Sequence, residues 1–199
     1  MRLRRDWGIP DGAFCVLFCG KFISKKRPMD LVGAAKKLRT SGRLPNVHLL
    51  FAGSGKLGEQ LRASCAIAFD AEGGGALGAV QTGLHDRPPA SFVGFLNQTE
   101  VSKAYVAADC LVLPSDHGET WGLVVNEALA SALPPIVSKA CGCAEDLVGE
   151  VFSFPTGSAT CLAERIVALQ SEKPKWPPTL PSFSETVSSI ISAYSETVM

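Results

Sequence analysis

A strand-to-helix transition in the second half of the chain decides the predicted fold. Residues 107–115 read Ala-Ala-Asp-Cys-Leu-Val-Leu-Pro-Ser, and residues 117–130 read His-Gly-Glu-Thr-Trp-Gly-Leu-Val-Val-Asn-Glu-Ala-Leu-Ala. The first run is short, apolar and closed by Pro-Ser, which is typical of a buried parallel strand. The second begins as a loop and continues as a helix. A strand that leads through a loop into a helix is the unit of an α/β domain.

Two glutamates flank the predicted start of this helix. Glu119 precedes the helix, and Glu127 lies about two turns inside it, on the same face as Leu123. The free N–H groups and the dipole of a helix N-terminus attract an anion, whereas a carboxylate on each side repels it. The economical interpretation is a ligand whose phosphate is flanked by hydroxyl-rich groups, because a carboxylate can bind hydroxyls by paired hydrogen bonds.

Strand and helix patterns alternate along the rest of the chain. Apolar runs predict further strands at residues 13–19, 47–52, 91–96, 134–138 and 151–154. Helices are predicted at residues 28–39, 57–66, 101–107 and 158–170, with a short helical turn at 144–148. This alternation predicts an α/β fold with a doubly wound parallel sheet, because parallel strands need crossover connections that cover the sheet.

Two segments fall outside this pattern. Residues 69–90 are rich in glycine, and we expect them to form a mobile surface loop. Residues 173–181 contain four prolines in nine residues, which is typical of a linker, and residues 183–198 predict an amphipathic helix. The predicted organisation is one domain at residues 1–172, followed by a Pro-rich linker and carboxyl-terminal helix at residues 173–199.

Cations and glycines follow the ends of the first two predicted strands. Lys21, Lys25, Lys26 and Arg27 lie after the first strand, where ligands bind in open α/β sheets. Cations near a helix N-terminus oppose its dipole, so an external anion is the better explanation, although we expect Lys25 to face solvent. After the second strand, Gly53-Ser54-Gly55 fits a backbone that a ligand approaches closely. Gly-x-Gly alone is too weak a motif to indicate a dinucleotide site.

Composition excludes several classes of protein. The 199 residues are 46% hydrophobic and 19% charged, which is enough for one large globular core. The 19 basic residues balance 19 acidic ones, so no overall field draws the chain to nucleic acid or a membrane surface. The amino terminus lacks the apolar core of a signal peptide and no apolar run approaches membrane-spanning length, so we expect a soluble protein. The seven cysteines lack disulfide-framework and zinc-ligand spacing, which favours a reducing cytoplasm and predicts no metal site.

Six short motifs form a specific set through their order. They are Gly-Lys-Phe-x-x-x-Lys at 20–26, Ala-Gly-Ser-Gly at 52–55, Phe-Val-Gly-Phe at 92–95, Ala-Asp-x-x-Val-x-Pro-Ser at 108–115, Glu-x-Trp-Gly-x-x-x-x-Glu-Ala at 119–128 and Gly-Cys-Ala-Glu-Asp-Leu-Val at 142–148. This set resembles the carboxyl-terminal domain of retaining glycosyltransferases of family 4, which have the GT-B fold. The resemblance implies a single Rossmann-like domain that binds a nucleoside-diphosphate sugar as donor substrate.

The resemblance assigns roles to the two glutamates. It implies that Glu119 holds hydroxyls of the sugar ring, helped by the backbone N–H groups of Trp121 and Gly122. It implies that Glu127 holds the ribose hydroxyls. Without the resemblance, these residues would be one loop carboxylate and one solvated helix carboxylate.

The resemblance also implies a diphosphate site. Lys21 and Lys26 would contact the diphosphate, and the N–H groups of Leu123 and Val124 would complete the anion site. The sequence has no Asp-x-Asp metal signature near a strand end, so the two lysines would take the part that a divalent ion plays in other transferases. No cofactor is therefore expected besides the donor substrate.

Four further positions complete the predicted donor site. The backbone around Phe95 and Leu96 would border the base, and Gly53 would allow close approach of the ligand. His117 lies at the mouth of the site, where it either contacts a phosphate or sugar or is incidental.

The reaction that the resemblance implies is a transfer of hexosyltransferase type. The nucleoside diphosphate departs and an acceptor hydroxyl attacks on the same face of the sugar, so the anomeric configuration is retained. We expect the acceptor-binding domain to be absent from this chain and to act in cis or in trans, and we expect the chain alone to bind nucleotide with little or no turnover. Any peripheral membrane contact would come through that missing domain.

Two other functions compete with this interpretation. One is a non-catalytic nucleotide-sugar binding module that associates with a separate acceptor-domain chain. The other is a different nucleotide-binding α/β enzyme, such as an epimerase or dehydrogenase, against which the carboxylate pair and the lack of Gly-x-Gly-x-x-Gly argue. The sequence leaves the base, the sugar and the acceptor open.

Overall fold

The structure is a computed structural model that describes residues 2–76 and 86–172. The predicted linker and helix at residues 173–199 lie outside the described residues, as does the middle of the Gly-rich segment. The boundary proposed at residue 172 therefore stays a prediction.

The described chain alternates between strands and helices. The strands are β1 (Phe14–Cys19), β2 (Val47–Ala52), β3 (Ala66–Asp70), β4 (Gly75–Ala76), β5 (Pro89–Gly94), β6 (Cys110–Leu113), β7 (Pro135–Ser138) and β8 (Ser153–Phe154). The α-helices are α1 (Arg2–Asp6), α2 (Pro28–Thr40), α3 (Gly58–Ala63), α4 (Val101–Ala107), α5 (Leu123–Ala130), α6 (Gly149–Phe152) and α7 (Ala159–Glu172). A 3₁₀ turn at Ser24–Lys26 precedes α2, and a π-helical turn at Ala144–Val148 precedes α6.

The strands form one eight-stranded sheet in the order β4-β3-β5-β2-β1-β6-β7-β8. All its pairings are parallel except that of β3 with β4. The prediction of a Rossmann-like, doubly wound sheet is confirmed, with a short antiparallel edge that the sequence did not indicate. The strand order reverses at β1, which has β2 on one side and β6 on the other. In such sheets the ligand crevice lies at this switch point, beyond the carboxyl ends of the strands.

The central strands read as continuous apolar runs because both faces of the sheet are covered. Along β1, Val16 and Phe18 pack on the side of α2 and α7, whereas Cys15 and Leu17 pack on the side of α4 and α5. On the α2 side, the Phe51 and Phe92 rings stack with centroids 4.9 Å apart. Successive residues of one strand therefore contribute to opposite hydrophobic layers.

Strand β3 corrects the expectation for the segment after β2. The helix predicted at residues 57–66 ends at Ala63, and Ala66 begins a strand that pairs with β5. The expected mobile loop at residues 69–90 is wrong at both ends, because Asp70 ends β3 and Pro89 begins β5. Arg62 fixes this edge, with Nε 2.6 Å from Asp70 Oδ2. The physical reason is non-local, since β3 is stabilised by pairing with a strand about twenty residues later in sequence.

Helix α1 was not predicted, and hydrogen bonds connect it to the amino ends of β1 and β6. Arg4 donates from Nε to the Ala107 carbonyl at 2.7 Å and from Nη2 to Asp109 Oδ2 at 2.6 Å. The same carboxylate oxygen accepts the Cys15 N–H at 2.7 Å. One aspartate therefore joins the amino-terminal helix, the start of β1 and the start of β6.

The cysteines of the described segments are free thiols. Cys15, Cys141 and Cys143 are buried in the hydrophobic layer that α5 covers. Within residues 2–76 and 86–172, no three His, Cys, Asp or Glu side chains are grouped so that they could hold a metal ion. The cytoplasmic location inferred from the cysteines stays a prediction.

No helix in the described ranges combines the length and the hydropathy needed to cross a membrane.

Candidate functional site

Two loops meet at the switch point of the sheet. The loop after β1 contains the cations, and the loop after β6 leads to Glu119 and α5. The Asp116 N–H donates to the Lys25 carbonyl at 2.9 Å, and Lys25 Nζ lies 3.5 Å from the Gly118 carbonyl. These contacts hold the cationic loop against the carboxylate loop, although the two are more than ninety residues apart in sequence.

Lys26 and Glu119 bind each other in this structure. Lys26 Nζ forms an ion pair with Glu119 Oε2, and the Ser115 hydroxyl donates to the same oxygen at 3.1 Å. The pair is largely shielded, with 23% of the lysine side chain and 13% of the glutamate side chain exposed. The resemblance assigned these residues to different parts of a ligand. The structure brings them together as each other's partner.

A row of backbone N–H groups precedes and begins α5. The N–H groups of Trp121, Gly122, Leu123 and Val124 have no acceptor within residues 2–76 and 86–172. No side chain of the described residues caps this end of the helix, and the N-cap residue is Gly122 at φ 106°. A Cβ at Gly122 would lie 2.6 Å from a Leu113 methyl group, so only glycine fits without displacement. Such donors at the positive end of a helix dipole can bind an anion.

A cleft opens at the carboxyl ends of β1, β2 and β5. It has a volume of about 200 Å³, and its walls include Lys21, Gly53, Phe95 and Leu96. Gly53 adopts φ 138°, and a Cβ there would lie 2.0 Å from the Gly20 carbonyl oxygen. The structure thus brings four of the predicted donor-site residues into one cavity. Glycine at position 53 is what lets the ends of β1 and β2 approach each other.

Lys21 is an unpaired cation on this cleft. It is exposed, and its ammonium group has no ion-pair or hydrogen-bond partner in the described part of the chain. The neighbouring Phe95 side chain is 78% exposed. A free ammonium group and an uncovered aromatic ring on one cavity suit a ligand with an anionic part and a planar part.

Glu127 is held from behind by a tyrosine. The Tyr105 hydroxyl donates to Glu127 Oε2 at 2.5 Å, and it also forms a hydrogen bond with the Cys19 thiol. Burial, the neighbouring Cys19 and the bond to Glu127 raise the pKa of Tyr105, so its hydroxyl keeps its proton. Because Cys19 also lines the cleft, this contact chain links Glu127 on α5 to the cavity that contains Lys21.

The remaining predicted positions surround the anion site. The Trp121 ring is 38% exposed, and its Nε1–H donates to Asn126 Oδ1 at 2.8 Å. The Leu123 side chain is 70% exposed. Val124 packs partly into the layer beneath α5. His117 is exposed on the loop between β6 and α5.

Sequence reasoning missed two hydroxyl groups of this site. A signal for Ser115 was present, since it closes the β6 motif and lies four residues before Glu119, within reach of the same loop. Tyr105 gave no local signal, because it lies 22 residues before Glu127 on a different helix. Only the crossover of α4 brings that hydroxyl to α5.

The fold and the site together define a doubly wound α/β domain with a cleft at the carboxyl ends of its central strands. Residues 13–172 match the profile of the family described as glycosyl transferases group 1. The chain belongs to this family. The predicted glycosyltransferase domain of the GT-B fold is confirmed, whereas the assignment to family 4 stays a prediction.

Individual relatives agree with the family. An uncharacterized glycosyltransferase of Methanocaldococcus jannaschii is 30% identical over 151 residues, which cover 76% of this chain and 34% of that protein. A sulfoquinovosyl transferase of Arabidopsis thaliana is 31% identical over 157 residues, which cover 79% of this chain and 25% of that protein. The chain therefore spans between a quarter and about a third of these relatives.

A solved structure shares the fold. HepE of Anabaena, in complex with UDP-glucose, superimposes with a TM-score of 0.66 at 21% identity, covering 88% of this chain and 43% of that one. The family match also argues against the dehydrogenase and epimerase alternatives.

Proposed function

We propose that this chain is the donor-binding domain of a retaining glycosyltransferase. It would bind a nucleoside-diphosphate sugar, and the sugar would pass to an acceptor hydroxyl with its anomeric configuration retained. The observation that carries the proposal is the row of unpaired N–H groups at Trp121–Val124, which lies beside Lys26 and at the same edge of the sheet as the Lys21 cleft. That combination suits a diphosphate better than any single anion.

The diphosphate is the leaving group, so negative charge grows on it as the glycosidic bond breaks. Fixed donors and cations aimed at that charge lower the barrier without reorganising during the reaction. In this proposal Lys21, Lys26 and the N–H groups at the start of α5 supply them. The lysines neutralise charge as a divalent ion does in other transferases, so the transfer would need no metal.

Donor binding would exchange one ion pair for another. Lys26 would leave Glu119 for the diphosphate, and the freed Glu119 carboxylate would accept hydrogen bonds from sugar hydroxyls. Ser115 keeps Glu119 in place during the exchange, because its hydroxyl binds the carboxylate independently of Lys26. The recognition of anion and sugar would therefore be coupled through one lysine.

The nucleoside would lie in the cleft at the ends of β1, β2 and β5. Phe95, Leu96 and Gly53 line it beside Lys21, and Glu127 would hold the ribose hydroxyls. The structure of HepE with UDP-glucose, which shares the fold, makes UDP the first nucleotide to test. His117, at the mouth of the site, would lie on the sugar side.

Catalysis would need an acceptor-binding domain, in cis or in a separate chain. The curated relatives are three to four times longer than the matched region, which leaves room for such a domain in them. We infer that the 199-residue chain binds donor and turns over little or nothing by itself.

The proposal predicts a specific effect of Lys26→Ala. Removing a charge-assisted contact worth ~1.5–3 kcal/mol should weaken nucleoside-diphosphate binding about tenfold to a hundredfold. Calorimetric titration of the chain with UDP, GDP and ADP, with and without EDTA, measures this. Lys25→Ala is the matched control, because Lys25 lies on the same loop and its exposed ammonium group forms no ion pair with the described residues.

The control variant should bind within about twofold of the wild type. An unchanged dissociation constant for Lys26→Ala, or an equal loss in both variants, would contradict the assigned role of Lys26. If none of the three nucleotides binds the wild type, the donor-domain proposal fails.

A further inference from the structure

The strongest feature that the proposed function does not use is the hydroxyl group behind Glu127. Tyr105 belongs to α4, is 2% exposed, and donates to Glu127 Oε2 at 2.5 Å. Glu127 itself lies on an exposed face of α5. A buried, rigid donor is therefore joined to a solvent-exposed carboxylate, which is an arrangement that fixes the position of the carboxylate.

The bond leaves half of the carboxylate free. Oε2 accepts from Tyr105, whereas Oε1 accepts from no group within residues 2–76 and 86–172. An unrestrained glutamate on a helix surface samples several rotamers, and a ligand must immobilise it at a cost of about 0.5–1.5 kcal/mol. With Oε2 held, the orientation of Oε1 is set before a ligand arrives.

The tyrosine is suited to this task by its surroundings. Its hydroxyl contacts the Cys19 thiol as well as Glu127, and Cys19 lines the cleft together with Lys21 and Gly53. The pKa of Tyr105 is raised chiefly by burial, so it remains a donor throughout the physiological range. The direction of the hydrogen bond to Glu127 is therefore fixed, and the glutamate stays an acceptor that needs hydroxyl donors from its ligand.

We propose that Tyr105 is a positioning residue that aims Glu127 at the vicinal hydroxyls of ribose, so that the site prefers ribonucleoside over 2′-deoxyribonucleoside diphosphates. This inference rests on the proposed function, since it requires a nucleotide in the cleft. It adds a determinant of specificity that neither the motif order nor the glutamate alone provides.

The experiment compares two ligands and two variants of the whole chain. The dissociation constants of UDP and 2′-deoxy-UDP are measured by calorimetry for the wild type and Tyr105→Phe, with GDP or ADP and their deoxy forms if the wild type prefers another base. Tyr105→Phe should weaken ribonucleotide binding about three- to tenfold and deoxyribonucleotide binding less than about twofold. The ratio of the deoxyribonucleotide to the ribonucleotide dissociation constant should therefore fall. A loss of general packing would weaken both ligands alike.

Two further variants sharpen the comparison. Val106→Ala is the matched control on α4, because its side chain is 75% exposed and it should leave both constants unchanged. In a Glu127→Ala background, Tyr105→Phe should have no further effect on the ratio, since the tyrosine acts through the carboxylate. If Tyr105→Phe does not fold, Glu127→Asp tests the same link: its shorter side chain cannot both reach Tyr105 and present an oxygen to the ligand, so the ratio should narrow.

The outcomes separate this inference from the proposed function. A wild type that binds ribo- and deoxyribonucleotides equally, or a ratio that Tyr105→Phe or Glu127→Asp leaves unchanged, overturns the role of Tyr105 and leaves the donor-domain proposal standing. Equal weakening of both ligands by Tyr105→Phe means a packing role only, which also overturns it. A wild type that binds no nucleoside diphosphate contradicts both the role of Tyr105 and the donor-domain proposal.

Discussion

At the scale of single residues, the two carboxylates of this site are positioned by hydroxyl groups, and one of them also by a lysine. Ser115 binds Glu119 and Tyr105 binds Glu127, in each case at one carboxylate oxygen. Both hydroxyl donors are buried, at 1% and 2% exposure. The two glutamates thus differ in their remaining partner, because Glu119 has Lys26 whereas Glu127 Oε1 has no partner among the described residues.

A buried histidine makes stability depend on pH. His48 on β2 is fully buried, and its Nε2 lies 2.8 Å from the Ser91 hydroxyl, which donates to the Trp7 carbonyl at 2.6 Å. Because the Ser91 hydroxyl donates its proton to the Trp7 carbonyl, it must accept from His48, so Nε2 carries the imidazole proton. Nδ1 has no partner among the described residues. Burial, and secondarily the nearby Arg4, lowers the pKa of His48 from 6.5 to about 4.

The sign of the effect follows from the lowered pKa. Between pH 6.5 and 4 the unfolded chain takes up a proton that the folded protein does not, so stability is complete above pH 6.5 and is lost as the pH falls. The loss should approach about 3 kcal/mol near pH 4. Urea unfolding at pH steps from 7.5 to 4 measures it, and His48→Gln should flatten this part of the curve.

The exposed His117 provides the control for that measurement. His117→Gln should retain the wild-type pH dependence, because His117 is exposed on a loop and lies outside the buried core. A His48→Gln protein whose stability falls as steeply as that of the wild type would show that another group causes the loss.

The residues of the site were predictable to the extent that they occur in local motifs. Glu119, Lys26 and the N–H groups at the start of α5 follow from a strand end, a loop and a helix start, which are short-range features. The Lys26–Glu119 pairing and the Tyr105 contact join residues 93 and 22 positions apart. Such contacts depend on which elements become neighbours in the fold. No single segment of the sequence contains that information.

At the scale of elements, α1 shows how a short helix is stabilised by distant groups. Five residues are too few for a stable isolated helix. Its attachment comes from Arg4, which binds Asp109 and the Ala107 carbonyl at the boundary between α4 and β6. The basic sequence of α1 therefore has a structural role at the amino ends of the central strands. Arg4 and its acidic partner Asp109 are 105 positions apart in sequence.

Asp109→Ala should destabilise the protein by about 1–2 kcal/mol, because it leaves the Arg4 guanidinium and the Cys15 N–H without their shared acceptor. Asp11→Ala is the matched control, since Asp11 pairs with Arg5 of the same helix in an exposed ion pair. That control should leave stability nearly unchanged, because solvent screens an exposed ion pair. Urea denaturation at neutral pH measures both, and equal effects of the two substitutions would argue that the link through Asp109 is unimportant.

Most elements were predictable because their apolar pattern is strong, and the exceptions have a common cause. The central strands β1, β2 and β6 are buried on both faces and read as uninterrupted apolar runs. Strand β3 is less buried, at the edge of the parallel part of the sheet, and its Ala-Ile-Ala-Phe sequence reads equally well as the end of a helix. Pairing with β5 decides between the two, and pairing is a long-range property.

At the scale of the whole molecule, the doubly wound topology explains why the site lies where it does. The reversal of strand order at β1 separates the crossovers that follow β1 and β6 onto opposite faces, so their loops diverge and leave a crevice between them. The cationic loop enters this crevice from one side and the Glu119 loop from the other. An overall charge of zero is no obstacle, because Lys21, Lys25 and Lys26 lie together on the loop after β1.

The alternation of side chains along β1 has a consequence for how the molecule unfolds. Val16 and Phe18 belong to one hydrophobic layer and Leu17 to the other, so neither layer can melt while the strands that both share stay intact. We expect a single cooperative transition, without an intermediate in which the α5 side is lost and the α2 side persists. Urea curves followed by tryptophan fluorescence and by far-ultraviolet circular dichroism should have the same midpoint. Separate midpoints would mean that the shared strands do not couple the two halves.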